Sequence, residues 1–214
     1  EIQFGAILEE IMAAEQYAAN VKTKHNGSEF VEYAIKLPAD GETPVYLPID
    51  SKFPADRYEA LVDAYESGEP ARVAAASAAL KANLRASAKD IHDKYVSPPE
   101  TTDFAILFLP TEGLYAEAVK LGLVETLQHE YKINIAGPST MAALLNSLQM
   151  GFRTVAIQKR SNEVWNILGA VKTEFDTFGD VLTQAQRKLE QANSDLDKLI
   201  GVRTRQIQRK LKHV

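Results

Sequence analysis

The sequence predicts an α/β fold with a long C-terminal helical arm, on three observations. Strand-like and helix-like periods alternate from residue 53 to about residue 136, after an initial run of short strands joined by turns. Asp103 to Pro110 is a continuous apolar run bounded by breakers, as in a strand buried on both faces. From Thr140 the pattern is helical to the end without a proline. The organisation that follows is an α/β core over residues 1–160 and a helical coiled-coil arm over 161–214.

The first element is an amphipathic helix over residues 1–14, with Phe4, Ile7, Leu8, Ile11 and Met12 at helical spacing. Residues 17–24 form a first strand, and Asn26-Gly27-Ser28 a turn. Phe30 to Leu37 alternates as a second strand, closed by Pro38-Ala39-Asp40-Gly41, and Val45 to Phe53 is the third. Pro48 lacks the N–H of a central ladder, which predicts a bulge or an edge position there. Helices follow at Asp56–Ser67 and, in an Ala-rich stretch, at Ala71–Tyr95. After the buried strand come helices at 112–120 and 123–130 and a short strand at 132–136. Gly137-Pro138 is a turn, with Ser139 or Thr140 as N-cap of the last helix.

From Val164 the apolar positions of that helix step alternately by four and three through Leu168, Val171, Phe175, Phe178 and Leu182, onward to Leu199. This is a coiled-coil seam, and it predicts pairing either with a second copy or within a longer chain. Beyond Gly201 the seam fails and bases cluster, a solvated helix end on the simplest reading.

Composition narrows the function. The chain has 214 residues, 45% hydrophobic, enough for one large domain or a domain plus an extension. A net charge of −5 excludes a uniformly basic nucleic-acid binder, so any such contact must use local patches. The absence of cysteine excludes disulfides and thiolate metal sites and fits a reducing compartment. No pair of the scattered histidines has zinc-ligand spacing, and no phosphate-binding glycine loop is present, so no nucleotide cofactor is expected. With no span-length apolar run and no signal peptide, the expected location is cytoplasmic. The chain opens at Glu1 without a methionine and already in helical pattern. It reads as a fragment, which leaves a membrane anchor upstream open.

The stretch with chemical content is Ile49-Asp50-Ser51-Lys52. Alternation puts Asp50 and Lys52 on one face of the third strand, with Ile49, Ser51 and Phe53 on the other. Glu32, set opposite Asp50 across the hairpin, would bring a second carboxylate to the same divalent metal. Lys52 would orient or deprotonate a water, or stabilise a pentacoordinate phosphorus. Elsewhere, Lys81, Arg85 and Lys89 form a basic stripe at i, i+4 and i+8. That stripe reads as a solvated face, or as a phosphate track if it faces the strand site. Lys159 and Arg160 are further helix bases that could contact phosphate, and Glu112 reads as a helix N-terminal acid.

Several blocks carry a family resemblance. Glu1-Ile2-Gln3-Phe4 with Leu8-Glu9-Glu10, Val31 to Pro38, and Ile49-Asp50-Ser51-Lys52 resemble the core blocks of the RmuC family. Phe108 to Glu112, Gly137 to Thr140, Phe152-Arg153 and Arg160 to Glu163 fall at the places of its later blocks, so the resemblance covers nearly the whole chain. RmuC proteins are described as DNA recombination proteins that limit rearrangements, with a core resembling PD-(D/E)XK nucleases. The resemblance thus implies a restriction-endonuclease-like mixed sheet flanked by helices, and a deoxyribonuclease dependent on Mg²⁺ or Mn²⁺. In that scheme Glu32 and Asp50 are the strand acids and Lys52 the lysine. Glu1, preceding Phe4 and Leu8, is the helical acid, with Glu10 as the alternative metal ligand. Many relatives have Pro-Asp where this chain has Val31-Glu32, so the metal would sit about 1.5 Å further from the strand. The rival readings are a non-catalytic DNA-binding scaffold that oligomerises through the arm, and a purely structural coiled-coil partner.

Overall fold

A computed structural model describes residues 2–24, 28–39 and 43–211. The chain divides into two compact units, Glu1–Val155 and Ala156–Val214. Part of the Asn26-Gly27-Ser28 turn and of the Pro38 to Gly41 turn lies outside the described residues.

The first unit begins with α1 (Ile2–Ile11) and a single 3₁₀ turn (Ala14–Gln16), followed by β1 (Tyr17–Val21), β2 (Val31–Leu37) and β3 (Val45–Ser51). Then come α2 (Ala55–Ser67), α3 (Pro70–Tyr95), β4 (Ala105–Phe108), α4 (Glu112–Lys120), α5 (Leu123–Tyr131) and β5 (Ile133–Ala136). The last element, α6, runs from Pro138 to Leu211. The strands form one five-stranded mixed sheet in the order β1-β2-β3-β4-β5. The β1-β2 and β2-β3 pairs are antiparallel, and β3-β4 and β4-β5 are parallel. This is the expected mixed α/β fold with a long C-terminal helix.

Both faces of the sheet are covered, which is why β4 reads as an unbroken apolar run. Ala105 and Leu107 point into one core, with Leu80, Leu84, Ala88 and Ile91 of α3 and Leu61 of α2. Ile106 and Phe108 point into the other, against Phe4 and Leu8 of α1 and Met141 and Leu145 of α6. The helix ends follow local chemistry. Gly68 closes α2 at φ +68, its N–H donating to the Tyr65 carbonyl. The Thr111 hydroxyl oxygen accepts the Leu114 N–H at 3.2 Å to open α4.

Two expectations need correction. Pro48 is not at an edge: it lies in the central strand β3, in continuous register with β2 opposite Ala34, while on the β4 side the register shifts by two residues between Tyr46–Thr101 and Ile49–Ile106. Lys52 N–H donates to the Phe108 carbonyl across the β3-β4 ladder. The β3-β4 pairing begins at Ile49, so Pro48 stands just outside that ladder. In the residues leading into β4, the Thr102 hydroxyl donates to the Phe104 carbonyl at 2.6 Å. The second correction concerns α6, which starts at Pro138, so Ser139 and Thr140 belong to its first turn rather than its cap. The Thr140 hydroxyl still accepts the Gly137 N–H at 2.8 Å. Glu112, in the first turn of α4, accepts the Ser139 N–H at 2.6 Å. That hydrogen bonding holds its carboxyl below the ordinary 4.5.

Candidate active site

β2 and β3 are joined antiparallel with Tyr33 opposite Ile49, so one step along the ladder sets Glu32 opposite Asp50. Asp50 in turn stands beside Leu107 in the parallel register with β4. Its side chain therefore shares the face that α3 covers, at the carboxyl end of β3. Open α/β sheets bind ligands outside the carboxyl ends of their parallel strands.

Asp50 is 4% exposed. Its Oδ2 takes the Lys52 ammonium at 2.9 Å, while the Lys52 side chain stays about half exposed. Glu32 Oε2 accepts the Ser51 N–H at 3.2 Å, which ties the second carboxylate to the strand that carries the first. Burial pulls the Lys52 ammonium toward losing its proton. The hydrogen bond and charge of Asp50, with Tyr95 and Glu32 nearby, outweigh burial and raise it above the ordinary 10.5. Lys52 is therefore a cation. Tyr95, at the end of α3, is pushed above 10.0 first by burial and then by the Asp50 charge, so it stands there as a neutral phenol.

These groups line an open cleft of about 500 Å³, with Asn20 and Phe30 at its sides. Asn20 has φ +53 within β1, and the β1-β2 register sets it opposite Glu32. Asparagine is among the few side chains that tolerate this left-handed region. Tyr95 and Asn20 are cleft residues that the sequence reading missed. Tyr95 continues the Leu84, Ala88, Ile91 period of α3 and so reads only as core. The signal for Asn20 was a polar turn-former inside a strand.

The remaining predicted site residues lie elsewhere. Glu1 is outside the described residues. Glu10 is exposed near the C-terminal end of α1, a helix packed on the sheet face opposite that of Leu107. Phe4 packs edge-on against Tyr33 at 5.2 Å and tilted on Phe108 at 4.9 Å. Glu10 is six residues further on, about 9 Å along the helix. The structure does not bring it to Asp50.

The α3 stripe is engaged away from the cleft. Lys81 Nζ donates to the Leu121 carbonyl at 3.2 Å, and Arg85 pairs with Glu130 at 2.5 Å. Lys89 is exposed, and α3 reaches the cleft only at Tyr95, about 9 Å further along its axis. Lys159 and Arg160 are exposed on the part of α6 that belongs to the second unit.

The described residues contain no group of three or more His, Asp or Glu side chains placed to hold a metal ion. The convergent pair Glu32 and Asp50, with Lys52, is what the fold assembles.

Comparison with known proteins places the chain. The RmuC family matches residues 1–214. Two curated relatives named "DNA recombination protein RmuC homolog", from Xylella fastidiosa strains Temecula1 and 9a5c, are each 48% identical over 217 residues. Each match covers 100% of this chain and 47% of the relative, so the chain spans about half the length of these proteins. No solved structure matches it. On the match along its whole length, the chain belongs to the RmuC family.

Proposed function

We propose that this chain carries the centre of a metal-dependent DNA nuclease of recombination or repair, on a restriction-endonuclease-like sheet. The observation that carries the reading is the meeting of Glu32 and Asp50 across adjacent strands, with Lys52 on the Asp50 carboxylate at 2.9 Å. The name of the relatives, DNA recombination protein, supports DNA as the substrate.

The residues fit the ion. Glu32 and Asp50 offer the hard oxygens that Mg²⁺ or Mn²⁺ takes, and Mg²⁺ keeps several waters, so two carboxylates beside a substrate phosphate suffice. Once bound, such an ion supplies a nucleophilic water and polarises a phosphoryl oxygen. Glu32 and Asp50 would hold it from neighbouring strands. Lys52 keeps its proton, so it works as a cation against developing phosphoryl charge rather than as a base. Asp50 also fixes the direction of that ammonium.

The test is cleavage of labelled linear, circular and branched DNA with Mg²⁺ or Mn²⁺. Lys52→Ala is expected to lower the rate about a hundredfold or more, with Lys52→Arg recovering part of it. Because Lys52 is held above its ordinary range, the wild-type rate should show no loss from lysine deprotonation across neutral pH. If every substrate stays intact while DNA binds without metal, the nuclease reading is wrong and the scaffold reading takes its place.

A further inference from the structure

We infer that the arm pairs with the arm of a second copy of this chain, and that the two run antiparallel. The inference stands apart from the nuclease reading. It begins with exposure: Val171 is 44% exposed, and Phe175 reaches 70%. The seam continues from Val164 to Leu199, about 53 Å of helix. An apolar stripe of that length marks an association surface.

Volumes along the seam decide the direction. Four–three spacing makes Leu168, Phe175 and Leu182 a positions, and Phe178, Ala185 and Ala192 d positions. In a parallel pair each position meets itself. Phe175 and Phe178 would then crowd their own copies, while Ala185 and Ala192 would face each other across voids. In an antiparallel pair a meets d. Centred between Gly179 and Val181, that arrangement sets Phe175 against Ala185, Leu168 against Ala192, and Phe178 against Leu182. Phe175 and Leu168 meet alanines, and no phenylalanine meets its own copy.

Charge fixes the register. In this arrangement Glu174 flanks Lys188 of the second copy, and two-fold symmetry makes the pair twice. A shift of one heptad one way would set Glu174 beside Asp195 and Val164 against Arg203, and the other way would set Glu174 beside Val181 and Phe175 against Phe178.

The chain has no cysteine, so introduced ones report cleanly. Leu168→Cys and Ala192→Cys versions of the 214-residue chain, carrying different tags, would be oxidised separately and as an equimolar mixture. The expected result is a mixed disulfide dimer in the mixture and little cross-linking of either variant alone. Sedimentation should give a dimer for the wild type and a monomer for Phe178→Asp. Cross-linking of each variant with itself would mean a parallel pair and overturn the inference. A wild-type monomer, or a dimer without the mixed cross-link, would overturn it equally.

Discussion

Asp50→Asn is expected to abolish DNA cleavage, by about a thousandfold or more, while leaving the fold intact. Asp50 does two jobs at once. Its carboxylate sits at the carboxyl end of β3 opposite Glu32, and it holds the Lys52 ammonium at 2.9 Å. Asparagine keeps the shape but removes the charge that would hold the proposed metal, together with the ion-pair partner of Lys52. A metal ion and an oriented cation each contribute several kcal/mol to stabilising phosphoryl charge, and about 4 kcal/mol is already a thousandfold in rate. The fold should survive, because Lys52 is about half exposed and can turn to water once its partner is neutral. The check is single-turnover cleavage with circular dichroism on the same preparation. A variant that keeps more than about a tenth of the wild-type rate would remove Asp50 from the chemistry.

Phe108→Ala is expected to destabilise the core by about 3–5 kcal/mol, a large share of the ~5–15 kcal/mol typical of a domain. Phe108 is fully buried, and its ring lies against Phe4 of α1 at 4.9 Å. Truncation opens a cavity between the sheet and α1, bordered by Ile49, Met141 and Leu145 of the same core. The site should feel it as well, because the Phe108 carbonyl accepts the Lys52 N–H. Trp165 is exposed and belongs to the second unit, so a readout on the first unit itself is needed. Hydrogen exchange of α1 and β4 amides during urea titration is the suitable readout. Phe108→Leu should recover most of the loss, and a cost for Phe108→Ala below about 1 kcal/mol would contradict the packing account.

Much of the sheet was legible because its signals are local. Turn residues separate β1, β2 and β3, alternation gives their faces, and the unbroken run of β4 reports burial on both sides. The pairing of Glu32 with Asp50 followed from the hairpin. What the sequence left open depended on neighbours that it does not name. Pro48 was judged by its missing N–H alone, whereas it sits in the central strand at a point where the pairing toward β4 has not yet begun. The Lys81 and Arg85 stripe has the spacing of a phosphate track, but Leu121 and Glu130 are its partners. Tyr95 carries no mark that separates a cleft phenol from a core ring, because the same helical period produces both. The arm is the converse case: its seam is plain in the sequence, and in the single chain it stands exposed.

The most direct test of the central claim is calorimetric titration of Mn²⁺ into the wild type and into Glu32→Gln and Asp50→Asn. The account predicts a site in the wild type that either substitution weakens at least tenfold, with loss of cleavage in step. Mn²⁺ affinity unchanged in both variants would contradict it, and the Glu32 and Asp50 pair would then be a structural feature of the sheet.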